Sequence, residues 1–373
     1  MLLTAWKFLK YDRAKSIGAL VGVVISTFLI GQQSGIFTFL TNAMRALADQ
    51  THTDLWVVDN KTTNVNALAP LDIRKLREVA SLPGVAQAHG VVIRGATAQF
   101  PNGTSASVLL VGSDPPRFAG GPGTLLTGSH LDLVPDGAVS YDTFDSKALG
   151  GATLGTAFEL NGKRAYLAAT TRGIRGFGGI FMFSTAERVR EYTGLPATQI
   201  SAVLVDLEPG ADPLAVRDAI NATLYGVRAW LPKDFSRASV KTVLSTTGIA
   251  ISIGTLVIFA TLSGFFIIGL TLYSAAIDRI KDYGTLKAIG ATNGYVARLI
   301  LLQALLFALA GFPIGYLLIE AFRAGIATAG TLFSFGWPIR FVFFGLTLFI
   351  CLGGALFAVR RIAGVEPASV FRG

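Results

Sequence analysis

Four long apolar stretches constrain the fold of this 373-residue chain more than any other feature. A bilayer core about 30 Å thick requires roughly 20 consecutive apolar residues in a helix. Residues 17–40, 249–272, 296–319 and 341–359 reach or approach that length. Hydrophobic residues make up 51% of the chain and charged residues only 15%, which is too apolar for an ordinary soluble domain. We therefore predict an α-helical membrane protein with four transmembrane helices, arranged one plus three around a long polar segment.

The formal net charge of +9 is concentrated beside the apolar stretches. Residues 45–241 carry 19 basic and 18 acidic side chains, so 13 of the 32 basic residues but only 5 of the 23 acidic ones lie outside that segment. A basic excess that flanks membrane helices is a topology signal. It is not the clustered basic surface that nucleic acids require, and no nucleic-acid partner is expected.

Three short basic segments set the predicted orientation of the chain. Residues 7–15, 279–298 and 360–372 are basic, and short segments of this kind stay in the cytoplasm. Both termini are then cytoplasmic in a multi-pass protein of the bacterial cytoplasmic (inner) membrane, although Arg323 and Arg340 oppose this orientation. A cleaved signal peptide is the competing interpretation, but the first apolar run exceeds the 7 to 15 residues of a typical signal core.

Together these signals divide the chain into nine segments. The predicted segments are a cytoplasmic interfacial amphipathic helix over 1–16, transmembrane helix 1 over 17–40, an extracytoplasmic domain over 41–245, transmembrane helix 2 over 246–273, a cytoplasmic coupling loop or helix over 274–295, transmembrane helix 3 over 296–319, a short external loop over 320–340, transmembrane helix 4 over 341–359 and a cytoplasmic tail over 360–373.

The extracytoplasmic segment has the pattern of a large α+β domain of two subdomains. Residues 85–100 and 105–111 read as two strands of a hairpin joined by a Pro-Asn-Gly turn. A strand, a helix and a strand occur near each end of the segment, which predicts two similar lobes that flank a β-rich subdomain at about 112–192. Within that subdomain, residues 172–179 form a basic glycine-rich loop, read either as a solvated turn or as a loop that faces substrate or a partner.

The sequence contains no motif of a catalytic or ligand-binding site. A P-loop requires Gly-x4-Gly-Lys-Ser/Thr, but the Gly162-Lys163 pair is followed by Arg164. His52, His89 and His130 are isolated, and the single cysteine lies in the fourth apolar stretch. We therefore expect no enzyme activity, no metal and no cofactor bound by this chain.

Small residues and one proline mark the apolar stretches. Glycines at small-x3-small spacing allow helices to pack closely, either within one chain or at a dimer interface. Pro313 should kink the third helix and could serve as a hinge. The glycines with this spacing, which are candidates for dimer packing, are Gly18, Gly22, Gly31 and Gly35.

The segment between the second and third apolar stretches has the pattern of a short amphipathic helix. Apolar side chains recur at an i, i+3 spacing and are flanked by charges. Such a face needs a surface to bury against, and a soluble cytoplasmic partner is the natural candidate. The apolar residues of this stripe are Ile280, Tyr283, Leu286 and Ile289.

This segment resembles the FtsX-like permease family, which includes MacB, LolC/LolE and DevC-type subunits. The family loop runs approximately Arg-x-x-Glu-Ile-Gly-x-Leu-(Arg/Lys)-Ala-(Ile/Leu)-Gly-Ala. Asp282 and Tyr283 stand where the family has glutamate and isoleucine. The basic tail with Pro367-Ala368 is a second similarity. The matching loop positions are Arg279, Gly284, Leu286, Lys287, Ala288, Ile289, Gly290 and Ala291.

The resemblance implies that residues 279–291 couple the chain to a cytoplasmic ABC ATPase dimer, which binds ATP and Mg²⁺. It further implies a second permease chain as a homodimer partner, contact with membrane lipids, and a periplasmic membrane-fusion protein as a candidate partner. The implied function is that of a MacB-type exporter, most similar to the DevC type. ATP hydrolysis would drive export or extraction of an amphipathic substrate by mechanotransmission. The alternative is an FtsX-like scaffold that regulates a cell-wall hydrolase without transport.

Overall fold

The structure is a computed structural model that describes residues 13–328 and 330–363, together with Ala5 and Tyr11, with side chains as far as Arg360. Most of the predicted interfacial helix over 1–16 and of the tail over 360–373 lies outside the described residues. The described residues divide into two compact units. The membrane unit runs up to Thr38 and adds residues 249–327 and those from Phe333 onward. The α/β unit comprises residues 39–248 and 328–332.

Helices dominate the membrane unit and decorate the α/β unit. The described residues form nine α-helices: α1 (Arg13–Gln50), α2 (Arg74–Ala80), α3 (Ala186–Thr193), α4 (Pro213–Thr223), α5 (Pro232–Thr247), α6 (Ile249–Asp278), α7 (Ile280–Ala288), α8 (Asn293–Ala327) and α9 (Trp337–Ala363).

Four of these helices, α1, α6, α8 and α9, are long and apolar enough to cross a membrane. Together with the α/β unit between α1 and α6, they confirm the predicted fold class. The helices extend beyond the apolar stretches in the sequence. Helix α1 continues ten residues past position 40, and α8 continues to Ala327, within the segment that was expected to be an external loop.

The strands of the α/β unit belong mostly to one sheet. The described strands are β1 (Leu55–Asp59), β2 (Leu71–Asp72), β3 (Val85–Gln99), β4 (Ser105–Gly112), β5 (Ala138–Asp142), β6 (Ala157–Leu160), β7 (Lys163–Thr171), β8 (Ile180–Ser184), β9 (Gln199–Ile200), β10 (Ala202–Leu207) and β11 (Val227–Trp230). Nine of them pair in the order β11-β1-β10-β3-β6-β7-β5, with β4 bonded to β3 and β8. Strands β2 and β9 form a separate pair.

The long strand β3 belongs to both parts of this sheet. Its first half pairs antiparallel with β10, and its second half pairs antiparallel with β4, which confirms the predicted hairpin. The prediction of two separate similar lobes is wrong. The two strand-helix-strand segments interleave instead, because β1 and β11 of the opposite ends pair directly with each other and β1 pairs with β10. They form one lobe, covered by α2 and α4, beside the β-rich part.

Three apolar clusters hold the α/β unit. One lies under α2 and α4 and includes Val57, Val203 and Ile220, whereas a second fills the β-rich part around Leu110 and Leu167. The third cluster joins strand β1 to the two helices that connect this unit to the membrane unit. It is the cluster most relevant to function, because it contains the end of α1 and the start of α5.

Around this third cluster, an aromatic group and polar contacts fix α1 and α5 to the sheet. Phe235 of α5 is fully buried, and its ring centroid lies 5.7 Å from those of Trp56 and Trp230. The Ser236 hydroxyl donates a 2.5 Å hydrogen bond to Asp49 near the end of α1. After α5 the backbone adopts the left-handed conformation at Gly248, with φ +68°, and α6 begins at the next residue.

Candidate functional site

The segment that resembles the family motif forms helix α7 between α6 and α8. The backbone at Arg279 is not helical, and it separates the end of α6 from α7. Gly290 has φ +105°. Its N–H donates to the Lys287 carbonyl at 3.0 Å, and the Ala291 N–H donates to the Leu286 carbonyl at 2.9 Å. This is the Schellman arrangement, which favours glycine because a Cβ is unfavourable at positive φ.

One face of α7 is buried in the membrane unit. Tyr283 is 2% exposed, and its side chain lies close to Gln303 of α8. Burial raises the pKa of the Tyr283 phenol above its usual range. The adjacent Gly284 is buried as well. Tyr283 is therefore covered within the membrane unit, so the predicted i, i+3 stripe does not lie wholly on an exposed face, and its role in docking stays a prediction.

The opposite face of α7 is open. Ile289 is 80% exposed and is the most accessible apolar side chain of the segment. Ile280, Leu286 and Lys287 are intermediate in exposure, and desolvation lowers the pKa of the Lys287 amine. The exposed residues of the helix and its end are Lys281, Asp282, Thr285, Ala288, Ile289 and Gly290. This exposed face is one apolar side chain surrounded by charged, polar and small residues.

Contacts at the start of α1 connect it to the segment that carries α7. The Lys15 ammonium pairs with the Asp278 carboxylate and donates to the Ser274 hydroxyl at 2.9 Å. The Arg279 guanidinium lies 4.8 Å from the ring centroid of Tyr11, within the range of a cation–π interaction. Arg279, a family-motif position, is therefore positioned against the N-terminal part of the chain.

Three of the four glycines proposed for dimer packing are used inside the chain. A Cβ at Gly35 would overlap Phe333, and Cβ atoms at Gly22 and Gly31 would overlap residues of α6 and α8. Only Gly18 has open space around it. Close packing of α1 against its own bundle explains the spacing of these glycines, and the dimer interface stays a prediction.

Helix α8 continues through Pro313, which lies between two glycines that contact α1. A Cβ at Gly311 would lie 2.5 Å from Val23, and one at Gly315 would lie 2.8 Å from Thr27. Proline removes one backbone hydrogen bond from this stretch. The position is thus a close helix crossing as well as a weak point of the helix, and a hinge role stays a prediction.

Two contacts in the membrane unit were not identified from the sequence. Gln303 was visible as a polar residue in an apolar span, a signal that favours a specific partner, but the sequence could not show that it lies close to Tyr283. The second is the crossing of α6 and α9, where a Cβ at Gly269 would lie 3.2 Å from the carbonyl oxygen of Gly354. Among the described residues, no group of His, Cys, Asp or Glu could hold a metal ion.

Comparison with known proteins agrees with this arrangement. Residues 254–367, which contain α6, α7, α8 and most of α9, match the profile of the FtsX-like permease C-terminal family. ABC transporter permeases of Mycobacterium tuberculosis and Mycobacterium bovis are 24% identical over 365 residues, which is 95% of this chain and 95% of theirs.

Solved extracytoplasmic domains show a weaker similarity. The extracellular domain of the ABC-type transporter YknZ from Gram-positive bacteria gives a TM-score of 0.33 at 13% identity, covering 48% of this chain and 98% of that domain. The periplasmic region of MacB from Actinobacillus actinomycetemcomitans gives 0.37 at 9% identity, covering 53% and 94%.

Four helices long and apolar enough to cross a membrane, together with these matches, make the chain similar to membrane-embedded ABC transporter permeases. The match to FtsX-like permeases falls on the segment that contains the motif at residues 279–291, from which the resemblance was predicted.

Proposed function

We propose that this permease couples ATP hydrolysis by a separate cytoplasmic ABC ATPase dimer to movement of its α/β domain, and that this movement exports or extracts an amphipathic substrate. ATP and Mg²⁺ are bound by the ATPase. The proposal places both termini in the cytoplasm, the α/β domain outside the bacterial inner membrane, and two copies of the permease in each complex. A periplasmic membrane-fusion protein is a further proposed partner.

The observation that carries this proposal is the two-sided structure of α7. Tyr283 is buried on one face of the helix, whereas Ile289 at the end of the helix is 80% exposed. A short helix that is anchored on one side and open on the other can receive a partner and pass on its displacement. The family match over residues 254–367 supports an ATPase as that partner.

In this proposal, helices α1 and α6, which flank the α/β domain in the sequence, transmit the displacement to that domain. Helix α1 is continuous from Arg13 to Gln50, and Lys15 at its beginning pairs with Asp278, one residue before Arg279. Its last turns enter the third apolar cluster with Leu47 and Ala48. Displacement of the α7 segment would therefore act on a helix whose other end is part of the external core.

The test is co-purification of the ATPase with an Ile289→Asp variant. Burying an isoleucine side chain contributes about 1.5–3 kcal/mol, and a carboxylate at an apolar contact adds a desolvation cost. Since 1.4 kcal/mol is a factor of ten in affinity, we expect association to weaken at least about tenfold. The permease should still insert in the membrane and purify in normal yield.

Tyr225→Asp is the matched control, because Tyr225 is 91% exposed and lies in the α/β domain. It introduces the same charge at an exposed site away from α7, and it should leave ATPase association unchanged. Undiminished co-purification with Ile289→Asp would contradict the assignment of α7 as the docking helix. Recovery of a cell-wall hydrolase on the external domain, with no transported substrate, would instead favour the scaffold function.

A further inference from the structure

The chain enters the α/β unit a second time, through the short connection between α8 and α9. Residues 328–332 belong to the α/β unit, whereas α8 up to Ala327 and the residues from Phe333 belong to the membrane unit. No pattern in the sequence predicts this connection, since a short loop between two apolar stretches ordinarily lies in solvent. The contacts of Gly330 and Leu332 show what holds this connection in the α/β unit.

The surface that Gly330 contacts is organised by the buried carboxylate of Asp142 at the end of β5. This side chain is fully buried and accepts three hydrogen bonds. The donors are the Phe144 N–H at 3.0 Å, the Thr171 hydroxyl at 3.1 Å and the Ile174 N–H at 2.8 Å. Asp142 thereby holds the short 3-10 helix Thr143–Asp145 beside the basic loop over 172–179.

An ion pair then joins these two elements. Arg175 of the basic loop donates a 2.5 Å hydrogen bond to Asp145, whose side chain is only 5% exposed. Arg172 of the same loop lies 5.6 Å from the centroid of the Phe144 ring. Charge-assisted hydrogen bonds of this kind are about twice as strong as neutral ones. The basic loop is therefore held in place by its arginines, which the solvated-turn interpretation does not explain.

Gly330 fits against the ion pair without room for a side chain. It is buried, with φ +77°. A Cβ at this position would lie 2.6 Å from the Cβ of Phe144 and 2.8 Å from the Arg175 guanidinium. Leu332, two residues later, lies within van der Waals range of a Cβ built at Gly173. Both the backbone conformation and the close approach require glycine at position 330.

We infer that Gly330 and Leu332 form a second anchor that ties helices α8 and α9 to the α/β domain, in which Gly330 packs against the Asp145–Arg175 ion pair. The proposed function assigns the outward stroke to α1 and α6, which flank the α/β domain. The existence of this anchor does not depend on the proposed function. Only its role does, which is to give α8, the helix that follows α7, its own connection to the α/β domain.

The experiment is hydrogen–deuterium exchange of the full-length permease in lipid nanodiscs, without ATPase. Arg175→Gln removes the charge that pairs with Asp145. We expect at least threefold faster exchange in residues 328–332, more than 150 positions away in sequence. Gly330→Ala should produce the reciprocal effect, at least threefold faster exchange in residues 172–176. Arg175→Lys, which keeps the charge, should give a smaller increase than Arg175→Gln.

Gly210→Ala is the matched control, since Gly210 has φ +90° but nothing within 4 Å of an added Cβ. It should change exchange only in its own turn. Normal protection of strand β10 in every variant shows that the domain remains folded. Unchanged exchange of residues 328–332 in Arg175→Gln would overturn the inference. Because no ATPase is present, this outcome is independent of whether α7 docks one, so the two proposals fail separately.

Discussion

Removal of the Phe235 ring should uncouple the helices α1 and α5 from the sheet of the α/β domain. Phe235 is fully buried between Trp56 and Trp230, with ring centroids 5.7 Å from each. Truncation of a buried phenylalanine to alanine costs about 3–5 kcal/mol of unfolding free energy. For a domain of about 200 residues, each kcal/mol lowers Tm by about 2–4 °C. We therefore expect Phe235→Ala to lower the Tm of this domain by about 6–20 °C.

The assay is thermal unfolding of the purified permease followed by tryptophan fluorescence. Two of the four tryptophans of the chain, Trp56 and Trp230, flank the cavity that the variant creates, so the signal reports on the correct site. Phe235→Leu keeps most of the apolar volume, so its decrease in Tm should be less than half of that of Phe235→Ala. In ATPase complexes we expect Phe235→Ala to keep ATPase association, because α7 is unaffected, but to lose transport.

Tyr225→Ala provides the baseline, because a side chain that is 91% exposed should change stability by no more than about 0.5 kcal/mol. If Phe235→Ala lowers Tm by less than about 3 °C, the aromatic group does not fix α5 to the sheet. Wild-type transport in Phe235→Ala, at temperatures where it is folded, would show that this connection does not carry the stroke.

Two further predictions concern the α/β domain. Gly112→Ala should destabilise it by about 1–3 kcal/mol through overpacking, because the new Cβ would lie 2.8 Å from the Cα of Ala186. Gly95→Ala is the control, because an added Cβ at Gly95 has open space. Equal Tm values for the two variants would contradict this packing. The buried Asp145 carboxyl has its pKa raised to about 6, mainly by desolvation and also by Asp142, against the lowering effect of Arg175. A raised carboxyl pKa means that the folded state binds the proton more tightly than the unfolded state, so the contribution to stability falls as pH rises from about 4 to 6. The wild-type Tm should therefore rise more than that of Asp145→Asn when the pH is lowered from 7 to 5, and parallel pH profiles would refute this.

The elements that depend on local pattern could be predicted from the sequence. The four membrane helices follow from uninterrupted apolar runs, and the β3–β4 hairpin follows from two strand patterns around a Pro-Asn-Gly turn. The parallel pairing of β4 with β8 could not be predicted, since it joins residues about 70 positions apart that have no pattern in common. The interleaving of the two strand-helix-strand segments escaped prediction for the same reason.

The coupling segment shows the same limit at the scale of one helix. Its apolar stripe correctly indicated a short helix, but a stripe does not show which surface covers it. Tyr283 is buried beside Gln303 of α8, whereas Ile289 has no such cover within the described part of the chain. Helix α1 was predicted to leave the membrane at about residue 40. It continues to Gln50 because Met44, Leu47 and Ala48 are buried.

The backbone at Gly248 makes the two main connections between the units mechanically different. Helix α1 passes from one unit to the other without interruption, as a rod of 38 residues, about 57 Å long at 1.5 Å per residue. The α5–α6 connection instead contains a single left-handed residue at Gly248, with nothing within 4 Å of an added Cβ. An uninterrupted helix resists bending along its whole length. A connection with a single non-helical residue can instead bend at that residue.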